Sequence, residues 1–289
     1  MGLRPHVMLL IHAVTAALAL SSPQAQPLPD QLVIAAVVTD EKGHAVTDLK
    51  PDELVVQENG ADRPTVRAER DARPLNVALV LDSSAAMGGA YASDVVPAAV
   101  AFLKRLPAGT GFTVWSTSDH PRRIVDEGTD LKAAEGKMRT LAPFGTNAAV
   151  ETLVEASRDA GAFDDQHGAV VIVTSASMEG VTVDLQSLLP KASFKPTFAA
   201  VEVALNSGDQ DARLQDALKL MSSRTAGFHE RVLTTRSIAA ELERVLDLLA
   251  SQYRVAWKPG GDPRQVKIEV KVKRPNTKVV QAMRISTNW

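Results

Sequence analysis

Few side chains in this sequence could carry catalytic or metal-binding chemistry. Its 289 residues include no cysteine, which excludes thiolate nucleophiles, disulfides and cysteine-bound zinc. Neither a G-x-S-x-G nucleophile motif nor a phosphate-binding P-loop occurs. The histidines beyond the N-terminal segment do not recur at a metal-ligand spacing such as H-E-x-x-H; they are His44, His120, His167 and His229. We therefore expect a protein that is not an enzyme.

Three polar positions remain, each at the boundary of a patterned segment. The apolar run at 75–81 ends at Asp82, the run at 169–174 ends at Thr174, and Thr146 stands where a helical pattern begins. Apolar runs of this length are typical of strands buried on both faces of a parallel sheet. Ligands bind beyond the carboxyl ends of such strands, so Asp82, Thr146 and the stretch after Thr174 should share one rim.

Alternating strands and helices should position this rim. Strands are predicted at 75–81, 112–116, 169–174, 197–203 and 228–233, and helices near 96, 146, 214 and 238. Such alternation predicts right-handed crossovers and a doubly wound, mostly parallel α/β sheet with helices on both faces. We place this α/β domain at residues 74–252.

The segments before and after this α/β domain show a period-two alternation of apolar and polar residues, which is typical of strands with one solvent-exposed face. Apolar residues alternate from Leu32 to Val38, again at 253–257, and then along 266–273 and 278–285. Neither end has enough strands to be stable alone. We therefore expect the strands of 29–72 and of 253–289 to form one small β-sandwich.

Residues 1–25 have the composition of a secretory signal peptide. Arg4 precedes a nearly continuous apolar segment, Val7 to Leu20, which small residues follow; an uncleaved N-terminal anchor is the alternative. No later apolar run reaches the length of a membrane span, and a formal net charge of -2 gives no basic excess for nucleic acid. We expect an exported protein, periplasmic or secreted, with neither a nucleic-acid partner nor a membrane span after signal removal.

Three segments of the α/β region resemble loops of one family. Leu79–Met87, with the letters LVLDSSAAM, resembles the first metal-site loop of von Willebrand factor A domains, which follows an apolar strand with D-x-S-x-S. Phe144–Ala148 resembles the second loop, in which a Gly-Thr pair opens a helix, and residues 171–176 stand where the family has a strand and T-D-G. The likeness covers about residues 74–252, and the β-rich ends resemble a bacterial subgroup. It implies a von Willebrand factor A-like, Rossmann-like fold.

The resemblance also implies a magnesium site. In the family, two Asp, two Ser and one Thr hold the ion and leave a position open for an acidic residue of the partner. Here Ala86 replaces the second serine and Ser175 replaces the later aspartate, which leaves Asp82, Ser84 and Thr146 and predicts weak or no magnesium binding. Alternatively these side chains cap their loops, with Asp82 accepting backbone N–H groups and Thr146 serving as a helix N-cap.

The expected function is non-enzymatic binding of a protein partner on the loop rim. The rim comprises Ser83, Ala85, Gly145, Asn147, Ser175 and Glu179. With the metal site degenerate, shape and hydrogen bonds would carry the contact. Three alternatives stay open: magnesium-dependent adhesion through Asp82, Ser84 and Thr146, a metal-assisted hydrolase that polarises a substrate oxygen, and a structural role in which the sandwich mediates assembly.

Overall fold

The computed structural model describes residues 30–177, 189–205, 212–262 and 265–287. The predicted signal peptide and the rim residue Glu179 lie outside these ranges. The strands are β1 (Leu32–Asp40), β2 (Leu54–Glu58), β3 (Ala61–Arg63), β4 (Thr65–Arg70), β5 (Leu75–Leu81), β6 (Gly111–Ser116), β7 (Arg122–Val125), β8 (His167–Thr174), β9 (Thr197–Val203), β10 (Phe228–Val232), β11 (Tyr253–Trp257), β12 (Ile268–Val272) and β13 (Thr277–Ser286). The main described helices are α1 (Val96–Arg105), α2 (Leu131–Thr140), α3 (Ala149–Ala160), α4 (Ala212–Arg224) and α5 (Ile238–Ala250).

The central sheet has the strand order β10-β9-β8-β5-β6-β7. Its neighbouring strands are parallel except for the antiparallel pair of β6 and β7. Every residue of β5, β8 and β9 is buried, which explains why these segments are apolar runs rather than alternating patterns. The predicted mostly parallel α/β sheet is confirmed.

Helices cover both faces of this sheet because the strand side chains alternate between two cores. From β5, Val77, Leu79 and Leu81 pack toward α1, α2 and α5. Ala78 and Val80 pack on the opposite face with α3 and α4. The helical segment Ala85–Arg105, which ends in α1, could cross a membrane by length and composition, yet half of its apolar window is buried. Its buried side chains belong to the first of these cores.

The strands before and after the α/β region form two further sheets, which pack together as a sandwich. One sheet has the order β13-β1-β11-β4 and a smaller sheet has the order β12-β2-β3, and all of their pairs are antiparallel. The inner face of β1 packs around the fully buried Trp257 of β11. The expected sandwich of N-terminal and C-terminal strands is thereby confirmed.

Several elements depart from the sequence-based expectation. The helix predicted to begin near Thr146 begins at Ala149, and its N-cap, Ala148, makes no side-chain hydrogen bond. The prediction of Thr146 as an N-cap is therefore wrong. Strand β7 and helix α2 were not anticipated, although Asp130 accepts the Ala133 N–H as a regular N-cap of α2. Strand β12 spans Ile268–Val272 and is shorter than the alternating pattern at 266–273.

Candidate functional site

Asp82 lies at the carboxyl end of β5, where the fold places the rim, and its side chain is fully buried. Its Oδ1 atom accepts from the backbone N–H of Ser84 at 3.0 Å and from the Ser84 hydroxyl at 2.6 Å. Its Oδ2 atom accepts from Asn147 Nδ2 at 3.0 Å and Thr174 Oγ1 at 3.0 Å. The Ser175 N–H and hydroxyl also donate to Oδ2, at 2.9 and 2.8 Å. Six donors thus satisfy both oxygens of this carboxylate.

Thr146 takes no part in the six hydrogen bonds to Asp82. Its hydroxyl donates to Asp119 Oδ1 at 3.2 Å, and its backbone N–H donates to the same oxygen at 2.7 Å. Asp119 follows β6 with a positive φ of 54°. Asp82 and Ser84 of the implied ligand set are therefore in contact, whereas the third implied ligand pairs with a different carboxylate.

The loops of the rim are joined by backbone hydrogen bonds. The Ala85 N–H donates to the Gly145 carbonyl at 3.0 Å, and the Phe144 N–H donates to the Ser83 carbonyl at 3.0 Å. The Asp119 N–H donates to the Thr146 carbonyl at 2.9 Å. These bonds hold three separate loops in one arrangement, which favours a preformed surface.

Serines fill the space beneath this surface. The hydroxyl of Ser83 lies 2.6 Å from that of Ser116 and 2.7 Å from that of Ser118, and all three residues are buried. The Ser118 hydroxyl also donates to the Ser83 carbonyl. Ser83 was predicted as a contact residue, but its side chain points into the molecule. Among the described residues, no base hydrogen-bonds to its hydroxyl, the contact that would activate a serine nucleophile.

Gly145 holds the second loop against Asp119. Its φ of +66° lies in the left-handed region, and a Cβ atom there would lie 2.0 Å from Asp119 Oδ1. Both the backbone angle and the close approach therefore disfavour a side chain at this position. The Gly-Thr pair of the second loop is thus explained by its contacts with Asp119.

The exposed part of the rim is made of small and apolar groups. Ala85, Ala86, Gly88 and Gly89 are all exposed, and the neighbouring Phe144 side chain is 47% exposed. By contrast, the predicted rim residues Asn147 and Ser175 are buried and bind Asp82. Their surface roles are therefore wrong, and their structural role is to satisfy the buried carboxylate.

Tyr91 completes the buried surroundings of Asp82. It is 1% exposed, and its hydroxyl has no hydrogen-bond partner among the described residues. Burial raises the pKa of the phenol, Arg122 lowers it, and Asp82 adds to the rise. The hydroxyl is therefore neutral at physiological pH and adds no charge to the site.

The donor set does not fit an octahedral magnesium ion. Magnesium requires oxygen ligands with free lone pairs near ideal geometry, yet six donors already engage the Asp82 carboxylate. Ala86 offers no oxygen, and Thr146 faces Asp119. In the described parts of the chain, no group of three or more His, Asp or Glu side chains could hold a metal.

Asp119, Ser116 and Ser118 were not identified from the sequence as parts of this network. A signal was present, because the polar run 116–119 follows an apolar strand just as Asp82 does. That run also lies at the carboxyl end of a parallel strand, where the same rule predicts a binding rim.

The fold is similar to those of several solved structures. A von Willebrand factor type A protein from Catenulispora acidiphila has 11% identity and a TM-score of 0.55, over 89% of this chain and 75% of that one. Proximal thread matrix protein 1 from the mussel byssus has 17% identity and a TM-score of 0.51, over 67% of this chain and 51% of its own. Its form with a zinc-occupied MIDAS motif gives the same identity and TM-score. No family model and no curated protein matches the sequence. At these identities the likeness shows the fold alone.

Proposed function

Because the chain has a von Willebrand factor A-like fold, we propose that it is an exported, non-enzymatic protein-binding module that uses the rim without a metal. The observation that carries the proposal is the saturated carboxylate of Asp82. The composition of residues 1–25 resembles that of a secretory signal peptide, which supports the proposal that the protein is exported.

The two substitutions in the metal motif and the hydrogen-bond network support each other. Ser175 stands where the family has an aspartate, and its hydroxyl and N–H donate to Asp82 instead of repelling it. Asn147 adds an amide donor from the second loop. Hydrogen bonds to a carboxylate from several neutral donors stabilise its buried charge, so the site does not need a cation.

The surface above this network suits contact with a protein. Small residues leave room for close approach, and Phe144 offers an aromatic group of the type enriched at interfaces. The loops are already held together by backbone hydrogen bonds, so binding would order little additional structure. We expect recognition through apolar contact and shape.

Metal independence is tested by calorimetry. Mg²⁺, Mn²⁺ and Ca²⁺ are titrated separately into the mature protein and into the double variant Ala86→Ser/Ser175→Asp. We expect no saturable binding by the native protein at millimolar metal. The double variant restores a hydroxyl and a second carboxylate beside Asp82, and we expect it to bind magnesium or manganese. Saturable binding by the native protein that Asp82→Ala abolishes would refute the proposal.

Partner binding at the rim is tested with matched surface variants. The native protein, Phe144→Ser and Val66→Ser are immobilised and exposed to the extracellular proteins of the source organism, with EDTA present. Val66 is 59% exposed on the sandwich strand β4 and serves as the control. A partner captured by the native protein and the control, but not by Phe144→Ser, supports the rim. Equal capture by both variants would show that this part of the rim is not the interface.

A further inference from the structure

A cavity lies between the α/β region and the sandwich, at the end of the central sheet opposite the rim. Its volume is about 150 Å³. One wall is the outer face of the sandwich sheet, where Val37 of β1 and Val280 of β13 are directly paired. The other walls come from the first residues of β9 and β10 and from helix α5. The cavity is therefore bounded by both parts of the fold.

Apolar side chains make up most of the lining. They are Val37, Ala199, Ala226, Phe228, Val245, Leu248, Leu249 and Val280. Of the two hydroxyl groups in the lining, those of Thr39 and Thr197, the second already accepts from Gln252 Nε2 at 3.0 Å. A ligand in this cavity would therefore be held mainly by dispersion contacts and by the removal of apolar surface from water.

The charged side chain of the lining is Arg244, and neighbouring residues already balance its charge. Its Nη1 atom lies 3.4 Å from Glu230 Oε2 and 3.6 Å from Glu241 Oε2. The guanidinium carbon lies 4.7 Å from the centre of the Phe228 ring. Two carboxylates beside one guanidinium repel an incoming anion, and a cation would lose its hydration on entering the apolar interior. The charges therefore favour a neutral ligand.

Access and volume limit the size of the ligand. Val280 is 37% exposed and lies where the cavity meets solvent, whereas its cross-strand neighbour Val37 is 5% exposed. The volume is well below the roughly 300–1,000 Å³ of sites for drug-sized molecules. Apolar cavities of about 150 Å³ do admit benzene. The ligand should therefore be no larger than one substituted aromatic ring.

We propose that this cavity binds one small, neutral, apolar molecule, of the size of a single aromatic ring, at the junction of the α/β region and the sandwich. The ligand packs between Val37 and Val280 on one side and Leu248 and Leu249 of α5 on the other. Because it contacts both parts of the fold and binds only the folded chain, it also stabilises their junction.

Calorimetry in a sealed cell tests the site, with toluene as the probe and its charged analogues benzoate and benzylammonium as controls. The native protein is compared with Val280→Trp, in which the larger side chain fills the cavity from its mouth. The matched control is Val66→Trp, at a position 59% exposed on β4. We expect one toluene site per chain, with affinity reduced about tenfold or more in Val280→Trp and unchanged in Val66→Trp.

A second variant gives an independent measurement should Val280→Trp fail to fold. Leu248→Ala removes a side chain that lines the cavity and is 8% exposed, so it should enlarge the cavity. We expect this variant to bind naphthalene about tenfold or more tightly than the native protein does.

Four results would overturn the proposal. They are absence of saturable toluene binding by the native protein, equal toluene affinity in the native protein and Val280→Trp, binding of either charged analogue as tight as that of toluene, and a naphthalene affinity that Leu248→Ala leaves unchanged. Each concerns the end of the sheet opposite the rim, so none would bear on partner binding there.

Discussion

Replacing Asp82 with asparagine removes one negative charge and one acceptor from the buried network while keeping the side-chain shape. Four donors converge on Oδ2 and two on Oδ1. The new amide oxygen should therefore take the Oδ2 position, and the new NH₂ group should face Ser84. The Ser84 hydroxyl can rotate and accept, but the Ser84 N–H cannot, so a buried donor loses its acceptor.

The magnitude follows from these contacts. A buried donor left without an acceptor costs about 1–3 kcal/mol. Loss of the charge also weakens the four remaining hydrogen bonds, since bonds to a charged acceptor contribute about 1.5–3 kcal/mol and neutral ones about 1 kcal/mol. Allowing for relaxation, we expect Asp82→Asn to lower the free energy of unfolding by about 3 kcal/mol, a large effect for one side chain.

Urea unfolding at pH 7 in the presence of EDTA measures this effect. Asp165→Asn is the matched control, because Asp165 is exposed and its change should stay within about 0.5 kcal/mol. If Asp82 were instead a ligand waiting for a cation, removing its buried charge would leave stability unchanged or raise it in EDTA. Either of those results would refute the assignment of Asp82 as a satisfied structural carboxylate.

Three further changes probe other parts of the fold. Gly145→Ala should lower the free energy of unfolding by about 1–3 kcal/mol, since φ is +66° and Asp119 occupies the Cβ position; chemical denaturation checks this, and an unchanged midpoint would contradict it. Because burial lowers the pKa of His167 to about 4, the unfolded chain takes up its proton first as the pH falls below about 6.5, and native stability should fall by about 3 kcal/mol by pH 4. Urea denaturation at a series of pH values should show that the free energy of unfolding falls less steeply with decreasing pH in His167→Asn than in the native protein. Glu58→Gln should cost about 2–4 kcal/mol, because the buried Glu58 accepts from Trp257 Nε1 at 3.0 Å and from Arg63 Nε at 2.7 Å; near-UV circular dichroism of Trp257 with urea unfolding tests this.

Much of the fold could be predicted because its strands carry two unambiguous patterns. The buried runs at β5, β8 and β9 indicate a parallel sheet, and the alternation along β1 and β11 indicates a sheet with one core face. Strand β7 was not predicted because it has only four residues at the sheet edge, and three of them are charged or only partly buried. Helix α2 was not predicted because only Ala134 and Met138 of its residues are buried, which leaves too weak an apolar pattern.

The location of the candidate site could be predicted from the sequence, but the contacts between its side chains could not. Position along the chain placed Asp82, Asn147 and Ser175 at the ends of strands and helices, which was sufficient to bring them to one rim. It could not tell whether Asn147 and Ser175 face outward or toward Asp82, because that depends on loop geometry between segments distant in sequence. Likewise, nothing in the spacing distinguished Asp82 from Asp119 as the carboxylate that Thr146 contacts.

The placement of β1 between β11 and β13 has a consequence for how the molecule assembles. Glu58 and Trp257, which meet in the sandwich core, are 199 positions apart, whereas the strands and helices of the central sheet are nearly continuous along the chain. Closing so long a loop is slow compared with forming local contacts. The central sheet should therefore fold first. Both hydrogen-bonding edges of β1 should stay unpaired until β11 and β13 join it. Chains cut short before β13 would keep that edge exposed and would be prone to pair with one another.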